Sequence, residues 1–110
     1  MDKKIIYQQI LLDFLNTESD KYIEGIDFQI VKDFENNHYQ LVESGWYEKR
    51  FIYSVLFHFQ IKQNEKVWIL VNNTDVLVAE ELVKKGIRPS DIVLSYVPER
   101  VRQHTGYAVA

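Results

Sequence analysis

The sequence predicts an α+β domain: an N-terminal helix, an antiparallel four-stranded meander, a second helix, and a short C-terminal strand and turn packed on one face of the sheet. Three observations predict it. Apolar residues fall at helical spacing near the start, with Ile6, Ile10 and Phe14 four apart and Leu11 and Leu15 alongside. The stretch Arg50 to Lys62 alternates with period two. The last third writes out a strand, a helix, a sharp stop and a second strand.

The first helix spans Lys3 to Asn16, without Gly or Pro, and Thr17 to Asp20 is a polar connector. From Ile26 the period changes: Ile26, Phe28 and Ile30 alternate with Asp27 and Gln29, as in a half-buried strand. Glu35-Asn36-Asn37-His38 is a turn cluster, Tyr39 to Val42 is the returning strand, and Ser44-Gly45 closes it. In Arg50 to Lys62, Phe51, Tyr53, Val55, Phe57, Phe59 and Ile61 share one parity, so this Phe-rich face is expected under the helices. The opposite face keeps Ile52, Leu56, His58 and Trp68 among polar groups. It is expected to be left bare, solvated or covered by a partner.

Val67 to Val71 is apolar throughout and reads as a central strand. Thr74 is placed to cap a helix running Asp75 to Lys85, with Val76, Ala79, Leu82 and Val83 on its stripe. Glu80–Lys84 and Glu81–Lys85 are spaced for i,i+4 pairs. Gly86 suits the left-handed residue after the last turn, with Ile87 folding back on Leu82 and Pro89 blocking a restart. Ile92 to Leu94 is a short buried strand, Pro98 opens one further helical turn, and Tyr107 to Ala110 is too apolar to fray.

The 110 residues fit one domain, 1–110. Hydrophobic residues at 46% and charged residues at 26% place the chain among globular proteins. With no cysteine and no signal peptide pattern, a cytoplasmic location is expected, and no apolar run approaches the ~20 residues of a membrane span. A net charge of −3 argues against broad phosphate-driven DNA binding, although not against a small local patch.

No catalytic or cofactor constellation is visible. Three histidines without cysteine, and without H-x-H or H-x-x-x-H spacing, predict no metal site. There is no Gly-rich phosphate loop and no G-x-S-x-G. His58, expected near Trp46 and Trp68, has the chemistry of an acid or base. A strand histidine hydrogen-bonded to a neighbour is the commoner occurrence. His38, in a turn, is expected to be solvated. Arg100, Arg102 and His104 share one short turn and can converge on an anion. Arg102 capping carbonyls, or pairing with Glu99, is the plainer alternative.

Gly45-Trp46, Arg50, His58, Lys66-Val67-Trp68-Ile69, Thr74-Asp75, Gly86-Ile87, Asp91-Ile92-Val93-Leu94, Arg102, Thr105 and Ala108-Val109-Ala110, in this order and spacing, resemble the XisI family, the fdxN-element excision controlling factors. The chain departs from the family pattern at Asp75, where Glu is common, at Leu77, where a small residue is common, and at Tyr96-Val97, where an aromatic precedes His. The resemblance implies a non-enzymatic accessory role in site-specific excision of a DNA element, beside a recombinase and an XisH-like protein. Candidate partner-binding residues are Trp46, Arg50, His58, Trp68, Arg100, Arg102 and His104, with homodimerisation through the bare face or a sheet edge. The alternative is direct DNA binding through Arg100, Arg102, Lys62 and Lys66. A hydrolase centred on His58 ranks last.

Overall fold

The computed structural model describes residues 2–110. Its first helix is fixed by a cap just ahead of the apolar stripe. The Asp2 carboxylate accepts from the Lys4 amide at 2.9 Å, satisfying one of the free donors of the first turn. Helix α1 runs Lys3–Ser19, three residues past the expected end. Its buried stripe is Tyr7, Leu11, Phe14 and Leu15. Ile6, expected there, lies on the exposed flank and Ile10 is half-buried. The helix is rotated toward Tyr7, whose ring is buried and whose hydroxyl donates to Asp91 Oδ2 at 2.6 Å. A tyrosine can take a core position when its polar end has such a partner.

The strands are β1 (Ile26–Asp33), β2 (His38–Tyr47), β3 (Arg50–Ile61), β4 (Val67–Asn72) and β5 (Ile92–Leu94). Among the described residues they form one five-stranded sheet in the order β1-β2-β3-β4-β5. The first four are antiparallel, and β5 pairs parallel to β4, Val67 opposite Ile92. The C-terminal strand therefore extends the sheet, where the sequence suggested packing on its face. A parallel neighbour needs a crossover, and the second helix supplies it.

That helix, α2, spans Val78–Lys85 and starts three residues later than expected. Thr74 Oγ1 accepts from the Val76 amide and donates to Asn72 Oδ1, while Asn72 Nδ2 donates to the Val76 carbonyl. Thr74 thus closes a local turn instead of capping, since short hydroxyl side chains compete for nearby backbone groups. The helix end matches expectation. Gly86 is left-handed at φ 118°, and the Ile87 amide reaches the Leu82 carbonyl at 3.0 Å. The expected i,i+4 pairs do not form: Lys84 pairs with Glu81 at 3.1 Å, and Lys85 crosses to Asp13 of α1 at 2.8 Å.

Strand β2 passes through Ser44-Gly45 to Tyr47 instead of ending there. At Gly45 the chain approaches the residue before β1: the Trp46 amide donates to the Gly25 carbonyl at 3.0 Å, and a Cβ on Gly45 would overlap that oxygen. The glycine buys a close backbone contact inside a strand.

The decisive departure is in β3. Leu41 pairs with Phe57 but Val42 pairs with Val55, leaving Leu56 as an extra residue, a β-bulge. Because side chains alternate, one extra residue moves everything before it to the other face. Phe57, Phe59 and Ile61 lie under α1, fully buried, with Phe14 packed edge-on to Phe57 at 5.1 Å and to Phe59 at 5.9 Å. Phe51, Tyr53 and Val55, expected beside them, stand on the opposite face with Val42, Ser44 and Trp46. The bulge is pinned by Asn73, whose amide donates to the Leu56 carbonyl and whose side chain donates to the Val55 carbonyl, both at 2.9 Å.

Two expected outcomes check this account by chemical denaturation. Phe14→Ala costs about 3–5 kcal/mol while Ile6→Ala costs well under half of that. Asn73→Ala, which removes one hydrogen bond from the bulge, costs about 1 kcal/mol.

Candidate functional site

Helices α1 and α2 lie against one face of the sheet, leaving the other to be followed row by row. From the β1–β2 and β2–β3 registers, the open face carries Asp27, Gln29, Val31 and Asp33 on β1. It carries His38, Gln40, Val42, Ser44 and Trp46 on β2, and Phe51, Tyr53, Val55, His58 and Gln60 on β3. A second bulge at Leu70 puts Trp68 and Val71 of β4 on this face, and Val93 of β5 lies beside Trp68.

This face has two unlike halves. Over β4 and β5 the chain's own C-terminal segment covers it, which corrects the expectation of a wholly bare side. Helix α3 (Glu99–Arg102) brings the Arg102 guanidinium 5.2 Å from the Trp68 ring centre, and Lys62 Nζ lies 3.8 Å from the same centre. The Ala108 amide donates to the Ile92 carbonyl at 2.8 Å and Ala108 bridges Val93, so the tail closes the β5 edge. Val93 is fully buried as a result. Over β1 to β3 the face is open. Trp46 is 60% exposed, Phe51 59% and Tyr53 66%, and Trp46 and Phe51 touch edge-on at 5.5 Å. Single exposed apolar residues are ordinary, but this is a contiguous aromatic patch.

Between the halves sits a pair of imidazoles. His38 Nδ1 and His58 Nε2 are 2.9 Å apart, with the rings inclined at 57°. His38 was expected to be solvated and the histidines isolated; His38 is instead half-buried and hydrogen-bonded across the strands. Partial burial, and then the charge of His38, hold His58 below the ordinary imidazole range. Asp33 stands opposite His38 on β1, its carboxylate accepting from the Glu35 amide and from the Asn36 amide and side chain. Those bonds to Asn36 outweigh desolvation and keep Asp33 below its usual value.

The expected site residues do not gather into one place. Trp46 is six residues along β2 from Gln40, the partner of His58, so roughly 20 Å separates the two. Arg50, opposite Tyr47 at the hairpin tip, is exposed, as are Arg100 and His104. Arg102 is committed to carbonyls, donating to Val97 and Val109 at 3.0 Å and to Ser95 at 3.4 Å. This is the plainer of its two expected roles, and it locks the C-terminal turn. Lys66 Nζ donates to the Ala110 carbonyl. Phe51 and Tyr53 were missed as surface residues and His38 as a neighbour of His58, because only the bulge and the cross-strand register reveal them.

Asp91 was missed as well. Buried at 7% exposure, it accepts from Tyr7 and pairs with Lys3 at 3.3 Å. Burial alone would raise its carboxyl, but the bonds from Tyr7 and Lys3 and the nearby Arg88 charge bring it below the usual range. It ties the crossover to α1, away from the open face. Among the described residues, no three His, Cys, Asp or Glu side chains converge as a metal site. No helix among them is long and apolar enough to cross a membrane.

The family model described as XisI protein matches residues 1–109. Two solved structures are similar. A XisI-like protein from Anabaena variabilis ATCC 29413 is 37% identical, with 97% of this chain and 99% of that one covered and a TM-score of 0.89. The fdxN element excision controlling factor XisI from the same organism is 24% identical, with 99% and 100% covered and a TM-score of 0.80, a likeness of fold. No curated protein matches.

The His58 geometry has a pH consequence. Its folded value lies below the unfolded one, so between the two the unfolded chain binds more protons and stability falls as pH drops below about 6.5. In His58→Gln that part of the acid-side loss is absent, read from denaturation midpoints between about pH 5 and 8.

Proposed function

The chain belongs to the XisI family, and from that premise we propose that it is an accessory controlling factor for site-specific excision of a DNA element, working through protein–protein contacts. Its partners are an XisH-like protein and a recombinase, and its setting is the cytoplasm. The observation that carries this reading is the aromatic half of the open face, where Trp46, Phe51 and Tyr53 stand exposed over Val42 and Val55. Aromatic side chains dominate the energetics of protein interfaces. The similar structure that is named as an excision controlling factor supports the process assigned here.

The chain recruits or positions other proteins and leaves the cutting and joining of DNA to them. His58 has another histidine as its hydrogen-bond partner, with no carboxylate in that role. Direct DNA binding is the less favoured reading. Of the four cations it needs, Arg102 and Lys66 are spent on carbonyls and Lys62 lies over Trp68. A homodimer would either form through the same face and bury the patch, or form through the β1 edge and place two such platforms in one complex.

The test is co-elution of the purified chain with an XisH-like protein and with a recombinase. Phe51→Ser combined with Tyr53→Ser, both on exposed positions, is expected to keep the fold and weaken the complex by about 2 kcal/mol or more. Lack of any complex at tens of micromolar, or an unchanged affinity in the double variant, overturns the reading. In a parallel salt series, the chain alone is expected to leave duplex DNA unshifted even at low salt, where phosphate contacts are strongest.

A further inference from the structure

We propose that the open face carries a chelate site for a divalent transition ion of the nickel(II) or copper(II) type, with His38 Nδ1 and His58 Nε2 as the ligand pair. The argument starts from spacing. Imidazole nitrogens bind such ions at about 2.0–2.1 Å, so two at right angles lie about 2.9 Å apart and two at a tetrahedral angle about 3.3 Å apart. The separation here is 2.9 Å. Each ring must turn by roughly 45° to redirect its lone pair from the other ring to a shared point. The 2.9 Å is the length of the hydrogen bond that the ion would replace, and nickel and copper stand high in intrinsic affinity for nitrogen ligands.

The register brings two side-chain amides alongside, which can supply oxygen donors. Gln60 stands opposite His38 and Gln40 opposite His58, so the four residues occupy a two-by-two block on one face of adjacent strands. Two imidazoles with amide or water oxygens form the mixed nitrogen and oxygen set typical of tetragonal nickel and copper. The block is bordered by Val31 and Asp33 on β1 and by Trp68 and Val71 on β4. Asp33 faces the block from β1, while Lys62 and the Arg102 guanidinium lie over Trp68 at its other border. Half-burial keeps the strands, and with them the ligand spacing, in place.

Both rings must be neutral to bind. His58 already resists protonation, through burial and the neighbouring His38. At neutral pH the proton shared in the hydrogen bond moves to the far nitrogen of its own ring when the ion enters, with no net release. In acid, protons compete with the ion and binding is lost.

The experiment is a titration of the tag-free full chain with Ni2+ at pH 7.5, by calorimetry. One saturable site per chain is expected. His38→Gln and His58→Gln each weaken it at least about tenfold, since losing even an outer-shell partner of a metal ligand costs about ten- to a hundredfold. His104→Gln is expected to leave it unchanged. In the wild-type chain, imidazole NMR resonances of His38 and His58 are expected to broaden selectively, a readout that survives if a variant misfolds. No binding up to millimolar Ni2+, an affinity unaltered in both His variants, or broadening confined to His104 overturns the proposal. It is independent of the excision reading, and its failure leaves that reading untouched.

Discussion

The architecture turns on one extra residue. With Leu56 bulged, β3 changes faces in mid-strand, and the protein gets from one alternating run both a core wall and a surface patch. Phe57, Phe59 and Ile61 meet Phe14 under α1, while Phe51, Tyr53 and Val55 emerge on the far side. A bulge leaves backbone groups to be satisfied and bends the strand. Asn73 does the first by taking the Val55 and Leu56 carbonyls, just where β4 ends. Beyond that point β3 pairs only with β2, so the distal hairpin from Trp46 to Tyr53 has no β4 neighbour.

The other half of the molecule is tied by long-range polar contacts. The parallel β4–α2–β5 unit must be held against the meander, and Tyr7 reaching Asp91 across 84 positions does this inside the core. A buried carboxylate is costly unless bonded. Here the Tyr7 hydroxyl and the Lys3 ammonium supply the partners. On the opposite face Arg102 gathers the Val97, Val109 and Ser95 carbonyls, folding residues 95–110 over Trp68 and Val93. An interior tie on one side and a surface clamp on the other fix the strand that the sequence placed outside the sheet.

How much of this was legible follows from which rules are local. The strands, the Gly86 ending and the docking of the tail were readable, because period, φ > 0 and hydropathy are properties of short windows. In the α1 stripe Leu11, Phe14 and Leu15 were read as they stand, and only Ile6 was taken in place of Tyr7, because Ile6 outranks Tyr7 in hydropathy and nothing nearby announces Asp91 as a partner. The bulge was invisible for a similar reason. Phe51 to Ile61 alternates without interruption, and an uninterrupted pattern gives no sign of a register slip pinned by Asn73, just beyond the end of β4. His38 and His58, 20 positions apart, become neighbours only through the β2–β3 register. The resemblance to the family carried the function further than composition did, since no side chain in the sequence names a reaction.

The division of the open face is itself an argument about use. Covering the β4–β5 half took sixteen residues and three bonds from one arginine, so the fold has the means to hide apolar surface with its own chain. It closes the β5 edge in the same way through Ala108. The same chain leaves Trp46, Phe51 and Tyr53 in water at the far end, on the β2–β3 hairpin. An exposed aromatic patch carries an aggregation liability. The fold thus shields apolar surface at one end of the face and leaves it open at the other, the asymmetry that the proposed protein contact would use.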